Sequence, residues 1–219
     1  MNIIMLGAQG TGKGTVAGLL KGKLNIPHIS TGEMFRKNIK EGTELGKIAE
    51  SLINAGNLVP DDITIKMVEN RLNEEDATNG FILDGFPRNL EQAKSLDEIL
   101  AKKNQKIDLV IYLQTPTEEI IERVMARREC PKCKAAYNMI LNKPKNGEIC
   151  DVCGETVKKR ADDTEEGLKR RLDIFFTQTA PLIDYYNNQG VILEEKISVA
   201  INRLAEEAAN DVVNHINNK

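Results

Sequence analysis

Residues 7–15 read Gly-Ala-Gln-Gly-Thr-Gly-Lys-Gly-Thr, directly after the apolar run Ile3–Leu6. The run has the length and residue type of a short buried strand. Glycines let the chain turn and curl its N–H groups inward around oxygen atoms. A helix beginning near Lys13 adds partial positive charge at its N-terminus. Lys13 supplies a full charge that reaches the outer phosphates of a nucleoside triphosphate. The general P-loop pattern is Gly, four residues, Gly, Lys, then Ser or Thr. Gly7, Gly12 and Lys13 fit; Gly14 takes the hydroxyl position, and Thr15 brings the hydroxyl one place later.

Alternating strands and helices extend outward from this loop. Strands are predicted at Asn2–Leu6, Pro27–Ser30, Phe81–Asp84, Asp108–Leu113 and Val191–Leu193. Helices are predicted at Lys13–Leu24, Asp61–Asn73, Leu90–Lys103, Pro116–Arg128, Thr164–Tyr186 and Ser198–Ile216. The alternation implies an α/β fold: a five-stranded parallel sheet between two helical layers, with ligands at the carboxyl ends of the strands. Two segments break the rhythm. Residues 30–59 read as a purely helical insert, with Thr31 as N-cap. Residues 127–163 are rich in Cys, Pro, Gly, Lys and Asn and read as a small lid. The core then comprises 1–29, 60–126 and 164–219.

The chain has 219 residues, 41% of them hydrophobic and 29% charged, enough for one sizeable domain with insertions. A net charge of −3 argues against a dedicated nucleic-acid binder, and 4% aromatics without Trp argue against a base-stacking platform. No apolar run approaches the ~20 residues of a membrane span. No basic segment precedes an apolar core at the N-terminus, so the expectation is a cytoplasmic protein. Its four Cys are then reduced thiols available to metal.

Cys130-Pro-Lys-Cys133 and Cys150-Asp-Val-Cys153 are two knuckles separated by residues 134–149. This spacing signals a tetrahedral four-cysteine zinc site. A polar insert this short buries too little apolar surface to order itself, and metal ligation supplies the stability. Four thiolates leave no open position, so the site is structural. Another thiophilic metal such as iron fits the same ligands.

Arginines gather where the covers begin and end: Arg36 in the helical insert, Arg88 after a buried strand, Arg123, Arg127 and Arg128 before the lid, and Arg160, Arg170 and Arg171 after it. Phosphoryl transfer needs anions held in line and their charge neutralised. Asp84, ending an apolar strand, suits Mg²⁺ held through water. The two His, His28 and His215, offer no evident general base. A phosphate acceptor needs none, because its oxygen is already ionised. This combination points to a nucleoside monophosphate as acceptor.

The chain resembles the bacterial-type, long-lid adenylate kinases over essentially its whole length. The residues that carry the resemblance are Gly7–Thr15, Ile29–Arg36 (ISTGEMFR), Leu58–Asp61 (LVPD), Gly80–Arg88 (GFILDGFPR) with Gln92, Arg160–Asp163 (RADD) with Arg171, and the two knuckles. The resemblance implies reversible transfer from Mg-ATP to AMP, giving two ADP. It implies that Gly10, Thr11, Gly12, Lys13, Gly14 and Thr15 hold the ATP phosphates, with Arg123 against the base and Arg127 on the phosphates. Thr31, Arg36, Asn57, Leu58, Val59, Gly85, Phe86, Pro87, Arg88 and Gln92 would hold AMP, with Gln92 reading the adenine edge. Arg160 and Arg171 would bridge both substrates, oriented by Asp162 and Asp163.

Some positions depart from the family pattern. Gln9 stands where Pro is usual, Thr11 where Ala is usual, and Asn89 where Thr is usual. Asn89 is familiar from uridylate–cytidylate kinases and keeps UMP or CMP as an alternative acceptor. Glu194-Glu195-Lys196-Ile197 lacks the glycine of the ATP-base loop. The carbonyl near Ile197 is the positional match, and relaxed selectivity for the triphosphate base is the expectation. A non-catalytic, zinc-stabilised nucleotide sensor is the alternative from another class. The last helix carries Ile201, Leu204, Ala208, Val212 and Ile216 at helical spacing. The expected use of this stripe is packing on its own sheet in a monomer; self-association is the alternative.

Overall fold

The structure is a computed structural model, described here for residues 1–198 and 204–218. In chain order the elements are β1 (Asn2–Leu6), α1 (Lys13–Leu24), β2 (His28–Ser30), α2 (Thr31–Glu41), α3 (Glu44–Asn54), α4 (Asp61–Leu72), β3 (Phe81–Asp84), α5 (Leu90–Ala101), β4 (Leu109–Gln114) and α6 (Thr117–Ala126). They continue with β5 (Arg127–Glu129), β6 (Ala136–Asn138), α7 (Glu165–Ile174), α8 (Pro181–Asn187), β7 (Ile192–Lys196) and α9 (Ala205–Asn217).

The main sheet is parallel and five-stranded, ordered β2-β3-β1-β4-β7. Residues along β1 alternate between its faces, which explains two separate cores. Ile4 and Leu6 join Val68, Leu96, Leu100 and Tyr186 on one side. Ile3 and Met5 join Val16, Leu20, Ala208 and Val212 on the other. β1 is buried throughout, as expected for a central strand covered by helices on both faces. The register pairs Met5 with Asp84 and with Ile111, so β1 and β3 end within a residue of each other along one edge, and β4 runs on to Gln114. The phosphate loop leaves β1 at that edge.

Several boundaries differ from the sequence reading, each for a local reason. Ser30, not Thr31, caps α2, its hydroxyl accepting from Glu33 N. The helix expected at Pro116–Arg128 stops at Ala126, because Arg127–Glu129 pairs antiparallel with Ala136–Asn138. The helix expected at Thr164–Tyr186 is divided. Pro181 cannot continue the α-helical hydrogen bonding, and a π turn spans Phe175–Thr179, with Ala180 N donating to Phe175 O at 2.8 Å. β7 runs to Lys196 despite two consecutive glutamates, because ladder pairing with β4 outweighs their weak strand preference. α9 starts at Ala205 rather than Ser198, which takes part in a β-bridge. Ile201 lies outside the described residues. Ala208 and Val212 pack beneath the sheet against α1, as expected, and Leu204 is half exposed.

Phe35, Ala49 and Val59 of the helical insert form a small core together with Met67 of α4. The lid buries only Cys130, Tyr137, Cys150 and Val157 together. Among the described residues, no helix is long and apolar enough to cross a membrane.

Candidate active site

Gly7 and Gly12 explain the shape of the phosphate loop. Gly7 has φ of +140°, and a Cβ there would lie 2.5 Å from Leu113 O. Gly12 caps α1 at φ 95°, in the left-handed region that favours glycine. Thr11 is buried, its hydroxyl donating to Ala8 O at 2.9 Å. Gly14 and Thr15, in the first turn of α1, are exposed. A Cβ on Gly14 would lie 3.7 Å from Asp84 Oδ2, so the first turn of α1 sits beside that carboxylate.

Lys13 folds back over the loop, donating to Gly7 O and Ala8 O, both at 2.8 Å. Burial lowers its pKa to about 8; Asp84 opposes that shift, while Arg88 and Arg127 add to it. Burial alone would raise Asp84, but His28, Lys13 and Arg88 hold its carboxyl below the usual range. His28 Nε2 lies 3.5 Å from Asp84 Oδ2, close enough for electrostatic contact but without a hydrogen bond. An ionised carboxylate beside the loop is chemically suited to a water-surrounded Mg²⁺.

The arginines meet acidic or carbonyl partners. Arg127 Nε donates to Asp163 Oδ2 at 2.8 Å, and Asp163 is buried. Arg160 Nε donates to Glu129 Oε2 at 2.7 Å. Arg171 donates to Asp162 at 2.8 Å, to Ile53 O at 2.9 Å and to Gln9 Oε1 at 2.7 Å. Asp162 therefore orients Arg171 as expected. Asp163 holds Arg127 instead, and Arg160 turns to Glu129. No sequence signal pointed to Glu129. Gln9 Nε2 also donates to Asp163, so the loop's departure from Pro ties it to both arginine carboxylate pairs.

Arg88 Nε donates to Gly85 O at 2.9 Å. Burial depresses Arg88, as does neighbouring Arg171; Asp84 opposes and Arg36 adds to the effect. Arg36 is likewise lowered by burial and by Arg160, against Asp162, Glu129 and Glu33. These cations crowd one another, an arrangement relieved by added negative charge.

The remaining expected residues fall in three groups. Thr31 Oγ1 donates to Gly85 O at 2.9 Å, linking α2 to the Gly85–Arg88 turn. Phe86 is buried beneath that turn, and the Phe86–Pro87 peptide is cis. Gln92 is buried in the first turn of α5. Asn57 accepts from Arg170, Val59 packs into the insert's core, and Leu58 lies half-buried between them. On the other side of the loop, Arg123 Nη2 donates to Glu119 at 2.8 Å and lies 8% exposed. The spacing of four residues on one helix could have disclosed that pair. Ile197 packs its side chain into the core under α1, and its carbonyl accepts from Thr115 Oγ1 at 2.7 Å.

In the lid, all four cysteine sulfurs lie within 4.8 Å of one another. Cys130 and Cys153 are 3.4 Å apart, and Cys133 and Cys150 3.5 Å. Thiolates about 2.3 Å from a common tetrahedral zinc would be separated by about 3.8 Å, so the ligand set fits a structural Zn²⁺.

The sequence matches the family model described as Adenylate kinase over residues 5–191. It is 48% identical over 193 residues to the adenylate kinase of Caldicellulosiruptor saccharolyticus, covering 88% of this chain and 90% of that protein. It is 47% identical over 206 residues to that of Clostridium perfringens, covering 94% and 95%. It is 50% identical over 193 residues to that of Clostridium tetani, covering 88% and 89%. These likenesses establish that the chain belongs to the adenylate kinase family.

Proposed function

We propose that the chain catalyses reversible, Mg²⁺-dependent phosphoryl transfer from ATP to AMP, giving two ADP. The observation that carries this reading is the gathering of Lys13, Arg36, Arg88, Arg127, Arg160 and Arg171 from core, insert and lid around one strand edge. The depression of Arg36 by burial and Arg160, and of Arg88 by burial, Arg171 and Arg36, supports it, because two phosphorylated substrates would relieve the crowding.

In this reading Gly10–Thr15 cradle the ATP phosphates, with Lys13 on the transferring group. Arg127 joins them, Arg123 lies against the ATP base, and the backbone near Ile197 meets its edge. Asp84 holds Mg²⁺ through water; the bound ion neutralises charge on the donor phosphates. Thr31, Arg36, Asn57, Leu58, Val59, Gly85, Phe86, Pro87, Arg88 and Gln92 hold AMP. Arg160 and Arg171 exchange their carboxylate partners for substrate phosphates, so lid closure and charge neutralisation coincide. The closed lid excludes water, which would otherwise accept the phosphoryl group. Residues 30–59 and 127–163 act as the two covers, the latter held by Zn²⁺, on a core that functions as a cytoplasmic monomer.

A coupled assay with Mg-ATP and each monophosphate in turn tests this reading. AMP is expected to be the preferred acceptor, and Lys13→Met to lower kcat by at least about a hundredfold, the scale of losing one electrostatic stabiliser. Equal use of UMP or CMP, or an active Lys13→Met enzyme, would overturn it.

A further inference from the structure

We infer that Asp61 is a specificity-determining positioning residue: held by Asn89, its carboxylate fixes which way the Gln92 amide faces, and so selects a 6-amino over a 6-oxo purine monophosphate. The inference rests on the assignment of Gln92 to the acceptor base.

Gln92 is 2% exposed, and both ends of its amide are engaged. Oε1 accepts from Arg88 N at 2.8 Å, and Nε2 donates to Asp61 Oδ1 at 2.6 Å. A backbone N–H can only donate, and an ionised carboxylate can only accept. Turning the amide over would point NH₂ at N–H and oxygen at carboxylate, losing both bonds and opposing like groups. Asp61 is itself held: its Oδ2 accepts from Asn89 Nδ2 at 2.9 Å. Asn89 Oδ1 accepts from Gln92 N at 2.9 Å, which fixes the Asn89 amide in turn. Asp61, Asn89 and Gln92 form a ring of hydrogen bonds closed through the Gln92 backbone N–H, and its donor and acceptor sense is set by the backbone N–H groups of Arg88 and Gln92.

After these bonds the Gln92 amide retains one lone pair on oxygen and one hydrogen on nitrogen. The adenine edge presents a donor at its amino group and an acceptor at N1. The hypoxanthine edge presents the reverse, an oxo acceptor and an N1–H donor. A glutamine free to turn about its terminal torsion, which is roughly two-fold, accommodates either base. A glutamine locked in one sense accommodates one, and the other leaves buried polar groups unpaired.

The test compares kcat/KM for AMP and IMP at saturating Mg-ATP. The wild type is expected to prefer AMP strongly. In Asp61→Asn the new amide offers either oxygen or NH₂ to Gln92, so the lock is lost. The IMP-to-AMP ratio should rise about tenfold or more, the effect of one mispaired buried hydrogen bond. Asn89→Ser keeps an oxygen to cap α5 and removes only the donor to Asp61; a smaller rise in the same direction is expected. It also serves if Asp61→Asn does not fold. Variants that lower both acceptors by one common factor, or a wild type that uses IMP as readily as AMP, would overturn the lock. A wild type that phosphorylates neither would overturn the phosphotransfer reading beneath it.

Discussion

In the proposed reaction Lys13 meets opposing demands: it must stay charged to bind phosphate, yet the loop buries it beside Arg88 and Arg127. Its pKa of about 8 gives a pH dependence with a definite sign. Below that value the ammonium is charged and ready for the anion. Above it the free enzyme loses the charge, so kcat/KM for ATP should fall as pH rises through about 8. Bound phosphates raise the lysine's pKa, so kcat should persist to higher pH; parallel pH profiles of the two parameters check this. For folding the sign is reversed. The depressed cation destabilises the native state below about 8, and that penalty is relieved as pH rises toward the unfolded value of 10.5. Gln9 is the other residue whose role lies in its contacts, tying the loop to Arg171 and Asp163. Gln9→Ala should release the unliganded lid. With about 1 kcal/mol for the lost bonds, the open population rises about fivefold, seen as a longer lid-to-core distance by fluorescence energy transfer.

The lid is the element least able to stand alone. Its buried cluster consists largely of two cysteines, Tyr137 and Val157, with Tyr137 Oη 3.4 Å from Cys150 Sγ. Metal removal by chelator, or Cys150→Ser, should therefore melt 127–163 while the parallel sheet persists. The expected outcome is rapid proteolytic cleavage within the lid and little change in far-ultraviolet circular dichroism. The helical insert differs, because its Phe35, Ala49 and Val59 share an apolar core with Met67 of α4. The π turn before Pro181 is a local adjustment that lets α7 carry Arg171 toward the site while α8 packs Leu182 and Tyr186 under the sheet.

Across the whole molecule, the sheet is the reference frame and the covers are referred to it through Arg171. That residue touches the loop at Gln9, the lid boundary at Asp162 and the insert at Ile53. Stability is concentrated elsewhere, in the two cores on either side of β1. Ile4→Ala, at a fully buried position, should cost about 2–5 kcal/mol of unfolding free energy. Urea unfolding should record that loss, while specific activity at low temperature changes little, because Ile4 is fully buried in the core and none of the proposed substrate contacts falls on it.

The order of strands and helices, the glycine-rich turn between β1 and α1 and the four-cysteine cluster were legible in the sequence, because each depends on local periodicity or on spacing along the chain. Asn2–Leu6 reads as a buried strand by composition, and two Cys-x-x-Cys pairs announce their chemistry by distance alone. Partner choice among charges was not legible. Arg160 meets Glu129, Arg127 meets Asp163, and Gln92 meets Asp61 across 31 residues of chain. Many carboxylates lie within reach of each of these side chains in sequence terms, and only the packing of covers against the sheet decides which one is near. The ends of elements were decided the same way: Arg127 left a helical pattern for the lid hairpin, and Glu194 and Glu195 entered a strand. In both cases pairing with a distant backbone outweighed local preference. Sequence alone determined which chemistry the chain carries; the tertiary structure decided which groups hold one another in place.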